Sequence, residues 1–381
     1  MYKVFYWSPY LSNVATIRNV INSAISLKKY NFEKYDVSLL DTIGEWRSCK
    51  DEINSNKLSI EKVNNLNLKF NLSKSGYFKS RFYFVLIFLI NFFPLLHLLK
   101  KRQPDFLIVH LLTSLPLFLL LIFNFKTKFI LRISGLPRLN FFRKILWKLI
   151  SKKIFLVTCP SNETLEYIRS TNIFEKKKLN VLYDPIINVS VVHNNLKKKI
   201  DNMNLKKDYF LSIGRLTKQK NHILLIKLFE IKLKEKQNLF LYILGDGEEK
   251  LNILKEIKKS NLENNIFLLG HIKNVYPYIA GAIAVISPSL WEDPGAVMIE
   301  SGFCNKVVIS SDCISGPKEF LMNGEAGYLF RNNNLNSFNM AIDNFLRDTH
   351  KNISIKKIKI KRNTKKYTMF SHYNHLNMLL S

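Results

Sequence analysis

Short apolar runs alternate with amphipathic segments along almost the whole 381-residue chain. In the first half KVFYW, VSLLD, FLIVH, FILRIS and IFLVT read as strands, with segments of helical period between them. A Lys-rich stretch at residues 194–208 breaks the pattern, which restarts with YFLSIG, LFLYILG, IFLLG, AVISPS and VVISS. Strand then helix, repeated, predicts parallel sheets with helices on both faces. The expected fold class is α/β, with two doubly wound domains at 1–195 and 208–345. Residues 346–381 are expected to be a connector and a last helix, MFSHYNHLNMLL, with packing back on either domain open. In such sheets ligands bind beyond the carboxyl ends of the strands, so two of them joined by a hinge predict a cleft.

Two longer apolar stretches stand out, FYFVLIFLINFFPLLHLL at 82–99 and FLIVHLLTSLPLFLLLIF at 106–123. Each approaches the ~20 residues that span a bilayer. Asn91, Pro94 and His97 interrupt the first, and the second splits into a buried strand, a Thr-Ser helix start and an apolar helix. Helices of a soluble domain, buried or touching a membrane, are expected here; interfacial insertion and true spans are the alternatives. Basic residues around Lys74, Lys79 and Arg81 favour peripheral docking.

Charge adds a constraint. Against 58 Lys and Arg stand 29 Asp and Glu, a formal net charge of +29, which selects a polyanionic neighbour: nucleic acid, an anionic membrane or a phosphorylated substrate. No Arg-rich patch interleaved with aromatics is present, which argues against nucleic acid. Cys49, Cys159, Cys304 and Cys313 are too few and too unevenly spaced for a disulfide framework, and no CxxC pair suggests zinc. The N-terminus lacks the pattern of a signal peptide, so a reducing, cytoplasmic location is expected.

Candidate chemistry concentrates in the second half. In YFLSIGRLTKQKNHILLIKLF a strand ends at Gly214, and Arg215 and Lys220 follow before a helix beginning at Asn221. Two cations beside a helix N-terminus suit a diphosphate; taken singly, such residues are also ordinary solvated cations. LYILGDGEEKLN places Gly245, Asp246 and Gly247 in a tight strand-to-helix turn that falls short of a dinucleotide loop. No Walker A motif occurs. In SLWEDPGAVMIES a helix is expected to start near Pro294, with Glu292 in the loop before it and Glu300 about two turns in. Amides at Gly295, Ala296 and Val297 could hold a phosphate while Glu300 accepts hydrogen bonds from vicinal hydroxyls. The structural alternative makes Glu292 a helix cap and Glu300 a half-exposed helical acid.

In this order and spacing, SIGRLTKQKN, LYILGDGEEKLN, SLWEDPGAVMIES and SSDCISGPKEFLMNGEAGYLF, covering roughly 208–330, resemble the retaining glycosyltransferases of family 4. The resemblance implies the GT-B fold, two Rossmann-like domains facing a cleft, and hexosyl transfer from a nucleotide sugar, UDP-linked, with no cofactor and no required metal. It implies that Arg215 and Lys220 neutralise the donor diphosphate, Gly214 and Gly245 line the nucleotide site, and Glu300 binds the ribose. Glu292, the first acid of an EX7E motif, would lie near the donor sugar, and 293–297 would touch the sugar and β-phosphate. The run reads E-D-P-G where the family commonly has E-G-F-P. SGPKE resembles a subset of bacterial enzymes that assemble lipopolysaccharide, capsule or other surface glycans, implying a lipid-linked or glycan acceptor at the cytoplasmic face of the plasma membrane. In the first half, PDFLIVHLLTS resembles the family segment that would place His110 near the donor sugar, and ILRISGLPRLNFFRKILWKL resembles a basic acceptor-side loop. SPYLSN at 8–13 stands where a Gly-Gly pair is often found. The rival readings are a sugar-nucleotide epimerase of GT-B fold and a basic nucleic-acid-binding module.

Overall fold

Strands buried on both faces of a parallel sheet need apolar side chains at nearly every position, and the apolar runs of this chain fulfil that demand. The structure, a computed structural model, describes residues 1–10, 15–64, 77–198, 205–206, 208–235 and 239–381. Leu11, Ser12 and Asn13 of the SPYLSN segment, Lys74, and residues 199–204 and 207 of the Lys-rich stretch lie outside the described residues. The chain divides into two units, one of Met1–Pro185 with Met369–Ser381, the other of Ile186–Thr368.

The first unit runs β1 (Tyr2–Trp7), α1 (Ala15–Tyr30), β2 (Tyr35–Asp41), α2 (Lys50–Ser55), β3 (Ser59–Lys62), α3 (Tyr77–Arg102), β4 (Phe106–Val109), α4 (Ser114–Ile122), β5 (Lys128–Arg132), α5 (Phe141–Ile150), β6 (Leu156–Cys159), α6 (Asn162–Ser170) and β7 (Leu179–Val181). Its seven strands are all parallel, in the order β3-β2-β1-β4-β5-β6-β7. The chain winds outward from β1 on one side and from β4 on the other, which puts the switch point between them. Leu107, Val109, Phe129, Leu131 and Val157 are buried on one side of the sheet; Val4, Tyr6, Val37, Leu39 and Ile130 face the other.

The second unit contains α7 (Val189–Leu196), β8 (Tyr209–Ile213), α8 (His222–Lys234), β9 (Phe240–Leu244), α9 (Lys250–Lys259), β10 (Ile266–Gly270), α10 (Tyr276–Gly281), β11 (Ala284–Ser287), α11 (Ala296–Phe303), β12 (Val307–Ser311), α12 (Pro317–Phe320), β13 (Tyr328–Phe330), α13 (Leu335–Arg347) and α14 (His350–Thr364). Six parallel strands form the order β10-β9-β8-β11-β12-β13, with the switch point between β8 and β11. In α8, Leu225, Ile226, Leu228 and Phe229 are buried, each contributing about 1.5–3 kcal/mol by leaving water.

Three expectations need correction. The first unit ends at Pro185, not near residue 195, because α7 packs on α10 in the second unit. Residues 350–368 also stay with the second unit: α14 packs on α11, and Ile360 fills the space beside Gly302. The last helix, α15 (Met369–Leu380), packs on α1 in the first unit, where the His372 ring nitrogens contact Ser23 Oγ at 2.8 Å and Tyr183 O at 2.7 Å. Finally, the 82–99 stretch is not interrupted. α3 runs through Pro94, and Asn91 turns inward, donating to Ile87 O (2.9 Å) and accepting from Asn64 Nδ2 (2.6 Å).

Candidate active site

The loops after β8 and β11, the two strands at the second unit's switch point, are tied together by one glutamine. Gln219 donates from its side chain to Trp291 O (2.9 Å), and its carbonyl accepts from Leu290 N (2.8 Å). That clamp brings Lys220 to Glu292 across 72 residues of sequence: Lys220 Nζ lies 2.5 Å from Glu292 Oε1. Ser289 Oγ donates to the same carboxylate oxygen at 2.6 Å. Glu292 is buried and Lys220 partly so, so the pair is a charge-assisted contact in a mostly dry setting. Within the same loop, β8 hands on to Gly214, whose Cα faces the methylenes of Lys220, and to Arg215, which is exposed.

A neighbouring turn braces this loop. Leu216 N donates to Asp246 O and Leu216 O accepts from Glu249 N, both at 2.9 Å. Gly245 has φ 148°, and a Cβ there would lie 1.8 Å from Gly214 O. Only glycine lets the two backbones approach so closely.

α11 begins at Ala296, two residues past Pro294, with Gly295 as its N-cap in the left-handed region at φ 90°. Glu300 is therefore its fifth residue, a little more than one turn in. Met298 N and Ile299 N donate to Gly295 O, so the helical ladder starts there and the Ala296 and Val297 amides precede it, as first-turn amides do. Glu300 Oε1 accepts from Tyr276 Oη at 3.0 Å. The Asp293–Pro294 peptide between the two acids is cis. Gly316 of the SGPKE run packs against that turn: its φ is 144° and a Cβ there would meet Pro294 O at 2.6 Å.

The side chains assembled in the second unit are thus Lys220 with Glu292, and Glu300 with Tyr276. Gln219, Ser289 and Tyr276 escaped the sequence reading, since a single Gln, Ser or Tyr carries no spacing signal. His222, next to Lys220, is buried, and its pKa is lowered to about 4 by desolvation and then by the Lys220 charge. Among the described residues no group of three His, Cys, Asp or Glu is placed to hold a metal ion.

His110 lies in the first unit, where β4 ends at the switch point, with its amide donating to Trp7 O (2.9 Å) and its ring stacked on Tyr6 at 6.1 Å. The ring is buried and its Nδ1 has no hydrogen-bond partner. Desolvation, then the positive charge of Arg132 and the neighbouring His372 ring, hold its pKa well below the usual histidine value. Arg132 is itself buried and paired with Asp184. His110 forms part of the wall of a cavity of about 500 Å³, with Arg132, Ser134, Phe84, Phe142 and Trp147. Ser134 Oγ is also buried without a partner, giving the cavity polar groups beneath an apolar rim.

Residues 194–366, nearly the whole second unit, match the model of Glycosyl transferases group 1. That stretch is a glycosyl transferases group 1 domain. The chain is 34% identical over 237 residues to the N-acetylgalactosamine-N,N'-diacetylbacillosaminyl-diphospho-undecaprenol 4-alpha-N-acetylgalactosaminyltransferase of Campylobacter jejuni, covering 59% of this chain and 63% of that one. It thus spans less than two thirds of that relative's length. Over 99% of the chain the fold is similar to a glycosyltransferase from Rickettsia africae (TM-score 0.74, 16% identity, 97% of that chain). It is equally similar to Anabaena HepE, solved with UDP and glucose (TM-score 0.73, 14% identity, 100% of this chain and 99% of that one). Two parallel-sheet, Rossmann-like domains of GT-B type are therefore the fold of this chain, as its periodicity and motifs led one to expect.

Proposed function

We propose that the protein is a retaining glycosyltransferase of family 4, which moves a hexosyl unit from a UDP-linked sugar to a lipid-linked or glycan acceptor during assembly of a surface polysaccharide. The observation that carries this is the Lys220–Glu292 contact at the switch point of a group 1 domain, one helical start away from Glu300. The name of the Campylobacter relative, with its diphospho-undecaprenol acceptor, and the UDP and glucose bound to HepE support the choice of acceptor and donor classes.

The residues then divide the work. Lys220 and Arg215 meet the diphosphate, Lys220 as a point charge and Arg215 by its planar fork. The first-turn amides Ala296 and Val297 add the positive end of the α11 dipole. Glu300 accepts the two ribose hydroxyls, with Tyr276 orienting its carboxylate. As the bond from the anomeric carbon to the diphosphate oxygen lengthens, its electron pair passes to the phosphate, where Lys220, Arg215 and the amides stabilise the growing negative charge. Glu292 faces the positive charge left on the sugar. The acceptor hydroxyl attacks from the face of the leaving group and passes its proton to the departing phosphate oxygen. In the first unit, neutral His110, kept so by burial, can donate or accept a hydrogen bond without adding charge. The enzyme works at the cytoplasmic face of the plasma membrane, bound peripherally, and needs no metal, since the cations and the helix start supply the neutralising charge.

A panel of nucleotide sugars, screened by thermal shift and then by donor hydrolysis, tests the reading. A shift with one donor, lost in Lys220→Ala and Glu300→Ala, supports it. No shift with any donor, together with unchanged activity in both variants, sinks it, and interconversion of free nucleotide sugars without consumption of an acceptor would replace it by an epimerase.

A further inference from the structure

The outer face of α3 is apolar where a soluble domain should be polar. Phe82, Val85, Leu89 and Phe93 recur every three or four residues and so share one side of the helix; Leu89 is 64% exposed and Phe93 74%. The opposite side, with Ile87, Asn91, Leu95 and Leu98, is buried. α5 has the same inverted character: Trp147 and Ile150 enter the core while Phe141, Phe142, Ile145 and Leu149 point outward, Phe142 at 81% exposure. α4 packs on both helices, its Phe118 ring 5.7 Å from that of Phe88. Phe84, on the flank of α3 away from that stripe, and Phe142 line the same cavity, so each helix also brings one exposed aromatic to the cavity wall. Single exposed apolar residues are ordinary, but a row of them on each of two helices packed on the same α4 marks a binding face.

The charge around this face identifies its occupant. From Lys62 to Asn162 the sequence holds a single acidic residue, Asp105, against seventeen Lys and Arg. Lys144 and Lys148 on α5, and Lys100, Lys101 and Arg102 at the end of α3, are exposed among or beside the apolar side chains. A second copy docking through this face would set like charge against like. Nucleic acid would leave the aromatic stripe in water.

We propose that the α3–α5 face docks on an anionic lipid bilayer, with the apolar stripe in the interface and the lysines on the headgroups. α3 is the one helix among the described residues that is long and apolar enough to cross a membrane. It lies along the surface instead, because Leu95, Leu98 and Leu99 are fixed in the core of the first unit. The apolar stretch from Phe82 to Phe93 measures about 17 Å at the α-helical rise. The cavity that holds His110 then opens at the bilayer, so a lipid-linked acceptor reaches it without leaving the membrane; this last step rests on the function proposed above.

Co-sedimentation of the full chain with phosphatidylglycerol/phosphatidylcholine vesicles, against pure phosphatidylcholine, tests the proposal. Wild type is expected to bind the anionic vesicles and to resist partly release by salt. The exposed-site variant Val85→Ser/Leu89→Ser/Phe93→Ser should bind roughly 100-fold more weakly at any salt concentration. Lys100→Gln/Lys101→Gln should lose about fivefold per lysine at low salt, and the difference should fade at high salt. Both variants should hydrolyse donor in vesicle-free solution like wild type, which separates a failure of docking from a failure of the glycosyl-transfer reading. Vesicle binding unaffected by the triple change, a wild type that ignores anionic vesicles, or a wild-type dimer in analytical ultracentrifugation that the triple change abolishes would each overturn the proposal.

Discussion

Exchanging Glu292 for Gln takes one charge from the Lys220 pair and keeps the side chain's shape. The Gln oxygen can still accept from Ser289 Oγ, but Lys220 loses its anion. Stripping one partner from a fully buried pair costs about 3–5 kcal/mol. The Lys220 side chain is 20% exposed, so water recovers part of the loss and about 2 kcal/mol remains. For a unit of roughly 180 residues that lowers Tm by about 4–8 °C. Removing both charges in Lys220→Met/Glu292→Gln should bring stability back to within about 1 kcal/mol of wild type, since no charge is then left unpaired. The same change has the opposite sign for ligand binding. An unneutralised Lys220 attracts the nucleotide diphosphate more strongly, by about 1 kcal/mol after screening, so UDP should bind about fivefold tighter in Glu292→Gln by titration calorimetry. Turnover should nevertheless fall at least tenfold, because the anion facing the sugar is gone. If UDP binds the folded variant no better than wild type, Lys220 does not face the diphosphate. If the double variant is as unstable as the sum of the singles, the pair is not coupled.

Further outcomes follow from the same geometry. Glu300→Ala should weaken UDP roughly 100-fold through the loss of two hydrogen bonds to a carboxylate, yet leave inorganic diphosphate binding unchanged in the same calorimeter. Gly245→Ala drives a Cβ onto Gly214 O and strains a left-handed backbone, a cost of about 3 kcal/mol, so calorimetry should show Tm about 6–12 °C lower. Gly324→Ala, at φ 97° but with nothing within 4 Å, should cost only about 1–2 kcal/mol. His222 keeps a folded pKa of about 4 against an ordinary 6.5. The unfolded chain therefore takes up a proton first as pH falls, and stability should decline from pH 6.5 towards 4 by about 3 kcal/mol. Denaturant titrations of His222→Gln should lack that part of the slope.

Parallel strands advertise themselves because both their faces are buried, and the ten apolar runs all became strands. The edge strands β3 and β7 did not show: SIEK is half exposed and LNV is three residues long, so neither needs a sustained apolar run. The Thr-Ser start inside 106–123 marks a real break between a strand and a helix, β4 and α4, whereas the polar and proline positions inside 82–99 mark none, since α3 is continuous there. Asn91 and Pro94 look like breaks in the sequence, but the Asn91 side chain donates to Ile87 O and accepts from Asn64 Nδ2, and the helix runs on through Pro94.

By itself the sequence determined two doubly wound domains and the loops that would carry chemistry, because periodicity and turn residues are local properties. It also determined the charge excess and the order of the Arg215, Lys220, Glu292 and Glu300 motifs. The tertiary structure alone decided that Lys220 and Glu292 share a hydrogen bond, that Gln219 holds their loops together and that Tyr276 meets Glu300. It also decided that the boundary falls at Pro185 and that α15 returns to the first unit. Each of these depends on contacts between residues dozens to hundreds of positions apart, where burial and geometry select the partner and no local pattern records the choice.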